Sequence, residues 1–236
     1  MIRVSQPPPA RAPNASRGGT WIVAAVILVA LVLAAVGFGL PYFYARGGSA
    51  AGERIEASVA GVRLNFESAM ARFAGELHGG AVDAIDLAAL FPEFSPAGEI
   101  DGLTPTSDLI VRHERTVFIT VTAAGNGLDP SERTAKLYAR FLEPEEWSHP
   151  GGLTMRRFMP GSPFEGEDLY LTPPEGKVFS ARCMRPAASP DGLPDACLHD
   201  FRLGALNVQL RFSPARLADW ESLTQGARAL VGRLRR

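Results

Sequence analysis

Lysine is almost missing from this chain: Lys136 and Lys177 are the only two among 24 basic residues in 236. Acidic residues are absent before Glu53. Histidine is confined to His78, His113, His149 and His199, and cysteine to Cys183 and Cys197. These shortages exclude several chemistries. No two histidines stand at metal-ligand spacing, and no His-Glu-x-x-His stretch exists for a zinc hydrolase. No Gly-x-Ser-x-Gly elbow or Ser-x-x-Lys is present for acyl transfer. No glycine-rich turn joins a strand to a helix with phosphate-binding spacing. The expectation is therefore a chain without a cofactor, without a metal, and without enzymatic activity.

What the chain has instead is one long apolar run, WIVAAVILVALVLAAVGFGLPYFY, from Trp21 to Tyr44. A helix rises about 1.5 Å per residue, so roughly 20 apolar residues cross a hydrocarbon core of about 30 Å. The run shows no polar face, and Trp21 at one end and Tyr42, Phe43 and Tyr44 at the other supply interfacial aromatics. It is longer than the 7–15 apolar residues typical of a cleaved signal. Arg3, Arg11 and Arg17 precede it without a balancing acid, so the positive-inside rule leaves the N-terminus in the cytoplasm and exports the rest. Small residues at Ala30/Ala34 and Ala35/Gly39 have the four-residue spacing of close helix contact, which offers a homodimer through this segment.

The organisation that follows is a tail over 1–20, a transmembrane helix over 21–44, a linker over 45–52 and an exported domain over 53–236. Beyond Arg46 the chain holds 20 basic against 25 acidic groups, a net charge of about −5. That balance argues against nucleic acid as a partner. Arginine in place of lysine, with abundant alanine, glycine and proline, points to a GC-rich bacterial genome. The domain also lacks an Asn-x-Ser/Thr acceptor. The compartment is then the periplasm, and the membrane the bacterial inner membrane. There an isolated pair such as Cys183 and Cys197 forms a disulfide across a looping stretch, MRPAASPDGLPDA.

Within the domain, 56–64 reads as a strand, and Phe66, Met70, Phe73 and Leu77 share one helical face after a capping Asn65. DAIDLAALFPEFSP is a short strand or helix that Pro92 ends. Residues 109–112 and 116–122 read as strands turning at His113-Glu114. Asp129-Pro130 opens a new element, while 136–142 fits helix and strand equally. Short strands follow at 153–158, 168–172 and 178–183. Then Cys197, His199, Phe201 and Leu203 alternate with polar neighbours, as do Leu206, Val208, Leu210 and Phe212, across a tight Gly204-Ala205 turn. Ser213 and Pro214 start a last helix with an apolar stripe through Leu217, Trp220, Leu223, Ala227, Leu230, Val231 and Leu234. Fold class is thus α+β: an antiparallel sheet packed against a C-terminal amphipathic helix, behind an N-terminal transmembrane helix.

For partners, the turn-rich MPGSPFEG stretch sets Phe164 on a loop, and Trp147 stands beside an acidic knot of Glu143, Glu145 and Glu146. Both are candidate partner-binding residues. His199 on the inward face of its strand reads as a hydrogen-bonded core histidine. Asp83 and Asp86 invite a two-carboxylate reading for glycoside cleavage, which two neighbours among 25 acids do not by themselves support.

DLAALFPEFSP, the KLYARFLEPEEW–GGLTMRRF–SPFEGEDLYL run and the CLHDFRLGALNVQLRF–ADW ending resemble segments of bacterial single-pass, membrane-anchored periplasmic proteins that carry no assigned site residues. A strand leading into a helix with an early Trp is also similar to PsbP/Mog1-like sandwiches and to periplasmic immunity proteins. The resemblance carries no activity; the lack of catalytic constellations and the acidic, disulfide-clamped domain point instead to binding of a protein or envelope component, with neutralisation of a periplasm-acting toxin as the alternative. A cell-envelope hydrolase with a site assembled from scattered residues is the contrasting class.

Overall fold

The computed structural model describes residues 52–98, 106–186 and 196–235. All belong to one of the two units into which the chain divides, Ser49–Arg236. Among the described residues no helix is long and apolar enough to cross a membrane. The apolar run at 21–44, with its helix-packing alanines, lies outside them.

Two sheets form the domain. The smaller pairs β1 (Arg54–Val59) with β2 (Val62–Glu67) antiparallel and with β3 (Gly80–Ala81) parallel. The larger has nine strands, all antiparallel. Its members are β4 (Ala84–Leu90), β5 (Ser95–Pro96), β6 (Thr116–Ala123), β7 (Trp147–His149), β8 (Leu153–Arg157), β9 (Glu167–Leu171), β10 (Ser180–Met184), β11 (Cys197–Leu203) and β12 (Leu206–Phe212). The spatial order is β5-β4-β6-β12-β11-β10-β9-β8-β7. Strands β7 to β12 therefore run as an up-and-down meander, and β12 closes onto β6, which pairs in turn with β4. Helix α1 (Thr106–Arg115) leads into β6, and α2 (Trp220–Leu234) ends the chain.

Alternation decides which face is buried. Leu206, Val208, Leu210 and Phe212 are all buried, as are Ile85, Leu87 and Ala89 on β4 and Val117, Ile119 and Val121 on β6. Leu223, Ala227, Leu230, Val231 and Leu234 of α2 join the same core, with Ile55, Val59, Leu64 and Phe66 of the small sheet. The stripe read from the sequence is thus the buried stripe. Ser213 caps as expected, its Oγ accepting from the Ala215 N–H at 3.3 Å, although the first turns after Pro214 are 3₁₀. The other face of the sheet carries Asp86, Thr120, Gln209 and Asp200 in one cross-strand row. A second, smaller core on that side holds Tyr138, Leu142, Phe158, Leu169 and Leu171.

Three local expectations are corrected. The helix placed from Phe66 to Leu77 is absent: 56–64 breaks at Ala60 and Gly61, both at positive φ, and returns as β2 through Glu67. A two-residue turn with both φ values positive matches strand twist, so it makes a hairpin and leaves only short 3₁₀ turns for the rest. Residues 109–112 are helical rather than extended, within α1, and His113-Glu114 is its last turn. Ile110 and Val111 are 57% and 56% exposed there, so no buried face existed to make them a strand. The ambiguous 136–142 settles as successive π and 3₁₀ turns that bury Tyr138.

Gly226 of α2 marks a close approach. A Cβ at this position would lie 2.2 Å from Cε2 of Phe94, a buried ring whose edge meets Phe91 at 6.1 Å. The FPEF turn after β4 is thereby seated on bare helix backbone. Gly226→Ala should lower stability by about 2 kcal/mol in urea unfolding through overpacking, although helix propensity alone favours Ala by about 1 kcal/mol.

Candidate functional site

Strand β11 has unequal neighbours. It pairs with β12 along its whole length, from Cys197↔Phe212 to Leu203↔Leu206. With β10 it pairs only at Cys183↔Cys197, Arg182↔Leu198 and Ala181↔His199. The chain before β10 stays with β9 instead: the Thr172 N–H donates to the Phe179 carbonyl at 3.0 Å, and the Phe179 N–H to Thr172 Oγ1 at 3.2 Å. Gly176, at φ +67°, closes that turn where a Cβ would sit 3.0 Å from both Leu171 Cβ and Thr134 Oγ1. Beyond His199 the β10 side of β11 consequently opens as a notch of about 190 Å³. His199, Phe201, Phe179, Val178, the Asp129–Ser131 turn and Arg228 line it.

Each wall is fixed by its own bonds. The Asp129 carboxylate accepts from Ser131 N at 3.0 Å and Ser131 Oγ at 2.6 Å, which holds its pKa below the usual carboxylate range. That is the cap expected at Asp129-Pro130. Arg202 donates to the carbonyls of Gly127 and Gly125 at 2.7 and 3.2 Å and lies 3.5 Å from Asp129. The Arg228 guanidinium sits 4.2 Å over the Phe201 ring.

His199 is only 3% exposed. Its ring lies 4.5 Å from Phe179, which in turn lies 5.2 Å from Trp220. Nδ1 is 2.8 Å from the Ser180 carbonyl, and a carbonyl only accepts, so Nδ1 carries the hydrogen. Nε2 is left with a lone pair, buried and without a hydrogen-bond partner. Burial drives the pKa down to about 4, against smaller upward effects of the Ser180 carbonyl and Asp200. Such an imidazole is a weak base at neutral pH but a standing hydrogen-bond acceptor. The Ser131 hydroxyl, already donating to Asp129, is not poised as a nucleophile.

The residues singled out in the sequence fall in different places. Cys183 and Cys197 are disulfide-bonded, as expected, across directly paired positions of β10 and β11. Phe164 is half-buried in the second core, 4.9 Å from Phe158, 5.1 Å from Tyr138 and 5.1 Å beneath the Arg182 guanidinium. Trp147 stands on edge strand β7, 37% exposed, with Arg157 4.9 Å over its ring. Asp86 accepts from Thr120 Oγ1 at 2.5 Å, while Asp83 is exposed. His149 is in β7, its ring meeting Tyr170 edge-on at 4.9 Å. Among the described residues no cluster of three His, Cys, Asp or Glu could hold a metal ion. The sequence reading of His199 accounts for its Nδ1 half. Phe179 and Arg228 carry no sequence signal for the notch, because they reach it from a turn and from α2.

No protein-family model and no curated protein sequence matches this chain. Two solved structures are similar to it. One is an immunity protein of the Stenotrophomonas maltophilia type IV secretion system, with a TM-score of 0.56 at 12% identity, covering 79% of this chain and 94% of that one. The other is the Neisseria meningitidis iron-regulated outer membrane lipoprotein FrpD, with a TM-score of 0.43 at 11% identity, covering 77% and 92%. Neither is a PsbP/Mog1-like sandwich.

Two outcomes follow from these contacts. Below pH 6.5 the unfolded chain protonates His199 while the folded one does not. Stability contributed by the neutral ring is therefore lost as pH falls from about 6.5 to about 4. The loss should approach about 3 kcal/mol, and the difference between wild type and His199→Phe in urea titrations across that window should isolate it. Phe164→Ser should cost about 2 kcal/mol in the same assay, as truncation of a packed ring does; an unchanged midpoint would instead mark the ring as a free surface anchor.

Proposed function

We propose that this chain is a non-catalytic binding protein of the immunity type, anchored by residues 21–44 in the bacterial inner membrane, whose periplasmic domain neutralises a toxin acting in that compartment. The observation that carries this reading is the shared fold with a secretion-system immunity protein over 94% of that protein's length. A domain net charge of about −5 and an oxidised cysteine pair suit an extracytoplasmic binder of a protein or envelope component. The bilayer is its second partner, and contact between two copies through Ala30/Ala34 and Ala35/Gly39 is compatible with this role.

The test is protection. The secreted effectors of the same cell are directed one at a time to the periplasm of a strain lacking this chain. Full-length chain should restore growth against one of them and bind it when both are purified. Rescue by a version confined to the cytoplasm would contradict the compartment, and failure to protect against or bind any effector would contradict the immunity reading.

A further inference from the structure

The face of the large sheet turned away from α2 is open across β4, β6, β12 and β11. One cross-strand row there runs Ala88, Phe118, Arg211, Leu198. None of the four is buried, while the inward neighbours on either side of each one are. The acids of this face are already committed. Asp86 accepts from Thr120 Oγ1, and Asp200 accepts from Gln209 Nε2 at 3.0 Å and pairs with Arg133. Glu76, at the border, accepts from the N–H groups of Phe73 and Asp86 at 2.7 and 3.2 Å.

Two cations of the same face are not committed. The Arg72 guanidinium lies 4.5 Å over the Phe118 ring and 4.8 Å over that of Phe73, and its backbone N–H donates to the Asp86 carbonyl at 3.0 Å. Arg211 is the cross-strand partner of that same Phe118 and, on its other side, of Leu198. Among the described residues neither guanidinium has a hydrogen bond or an ion pair. A guanidinium stacked on rings keeps its N–H edge for a planar acceptor, and the stack holds the fork in place before a partner arrives. A cationic partner would be repelled here, and a neutral one would desolvate both charges without compensating them. A carboxylate offers two oxygens to each fork. Phe73, 53% exposed, and the part-exposed Phe118 and Leu198 add apolar area beside the charges, which suits a polypeptide better than a small inorganic anion. We infer that this open sheet face receives an acidic segment of a protein partner, its carboxylates pairing with Arg72 and Arg211 and its apolar side chains covering Phe73 and Phe118. On a domain whose net charge is about −5, such a patch also gives an acidic partner one place to dock and disfavours the rest. The inference deepens the immunity reading and rests on it for the partner's role, but not for the chemistry of the surface.

The experiment uses the purified full chain in non-ionic detergent with ¹⁵N-labelled arginine. A short acetylated peptide of alternating Glu and Leu is titrated in while the arginine Nε–H resonances are followed by NMR. The matched Gln-Leu peptide and glycerophosphoglycerol, a phospholipid headgroup, serve as comparisons. The Glu peptide should move the Arg72 and Arg211 resonances, and its binding should weaken as salt rises. Arg72→Gln and Arg211→Gln should each weaken it roughly tenfold, as loss of a charge-assisted bond does, and Arg211→Lys should recover part of that loss. Arg233→Gln, the same charge change at an exposed position of α2, should bind like wild type, and the urea midpoint of Arg211→Gln should stay at the wild-type value. Equal binding of the Glu and Gln peptides, or an equal loss in Arg233→Gln and Arg211→Gln, overturns the proposal. Larger shifts of both arginines with glycerophosphoglycerol than with the Glu peptide overturn it in favour of a lipid surface. If the Glu peptide binds as described and no effector is neutralised, the immunity reading fails and the surface stands. If an effector is bound equally well by wild type and by the Arg72→Gln, Arg211→Gln double variant, the immunity reading stands and this face as its seat fails.

Discussion

The register of β10 against β11 is the constraint on which the rest of this domain turns. Cys183 opposes Cys197, and their disulfide holds the two strands in step at one end. A strand shifted by a single residue would turn every side chain to the other face. With this register His199 faces inward beside Ala181, between Phe179 and Phe201, and Asp200 faces outward toward Arg133 and Gln209. The same register leaves β10 too short to cover the end of β11. The notch is therefore a by-product of where the two strands are pinned, and the turn from Thr172 to Phe179 keeps it open by pairing with β9.

Burial on the two faces is uneven, and that unevenness separates stability from recognition. The face under α2 and the small sheet is filled by aliphatic and aromatic side chains with few polar atoms. The opposite face carries bonded polar rows and a compact aromatic cluster around Phe158 and Phe164. His199 belongs to the first face yet keeps an unpaired nitrogen, which costs the fold stability that a phenylalanine there would not.

Much of this architecture is legible in the sequence alone. Strict alternation from Leu206 to Phe212 fixed β12, and the Gly204 turn fixed its hairpin with β11, because period two over seven residues has no helical reading. The last helix was equally plain from Leu223, Ala227, Leu230 and Leu234. The misreadings share one cause: short apolar spacings that satisfy both periods. Phe66 and Met70 suited a helix face, but the Ala60-Gly61 turn had already committed Leu64 and Phe66 to a hairpin. Ile110 and Val111 looked like strand residues, yet they are exposed on α1. The notch was invisible for a different reason. His199, Phe179, Asp129 and Arg228 are brought together by sheet register and helix docking, and no local spacing encodes that meeting.

The account joins one sheet register to one compartment, and the state of the two cysteines reports on both. Cells expressing the full chain from its own sequence can be quenched in acid, their free thiols alkylated with a mass tag, and the chain examined before and after reduction. The account predicts that neither Cys183 nor Cys197 takes up the tag until the protein is reduced, after which both do. Two freely tagged thiols in unreduced protein would contradict it, removing the pin between β10 and β11 together with the exported setting in which the domain is proposed to bind its partner.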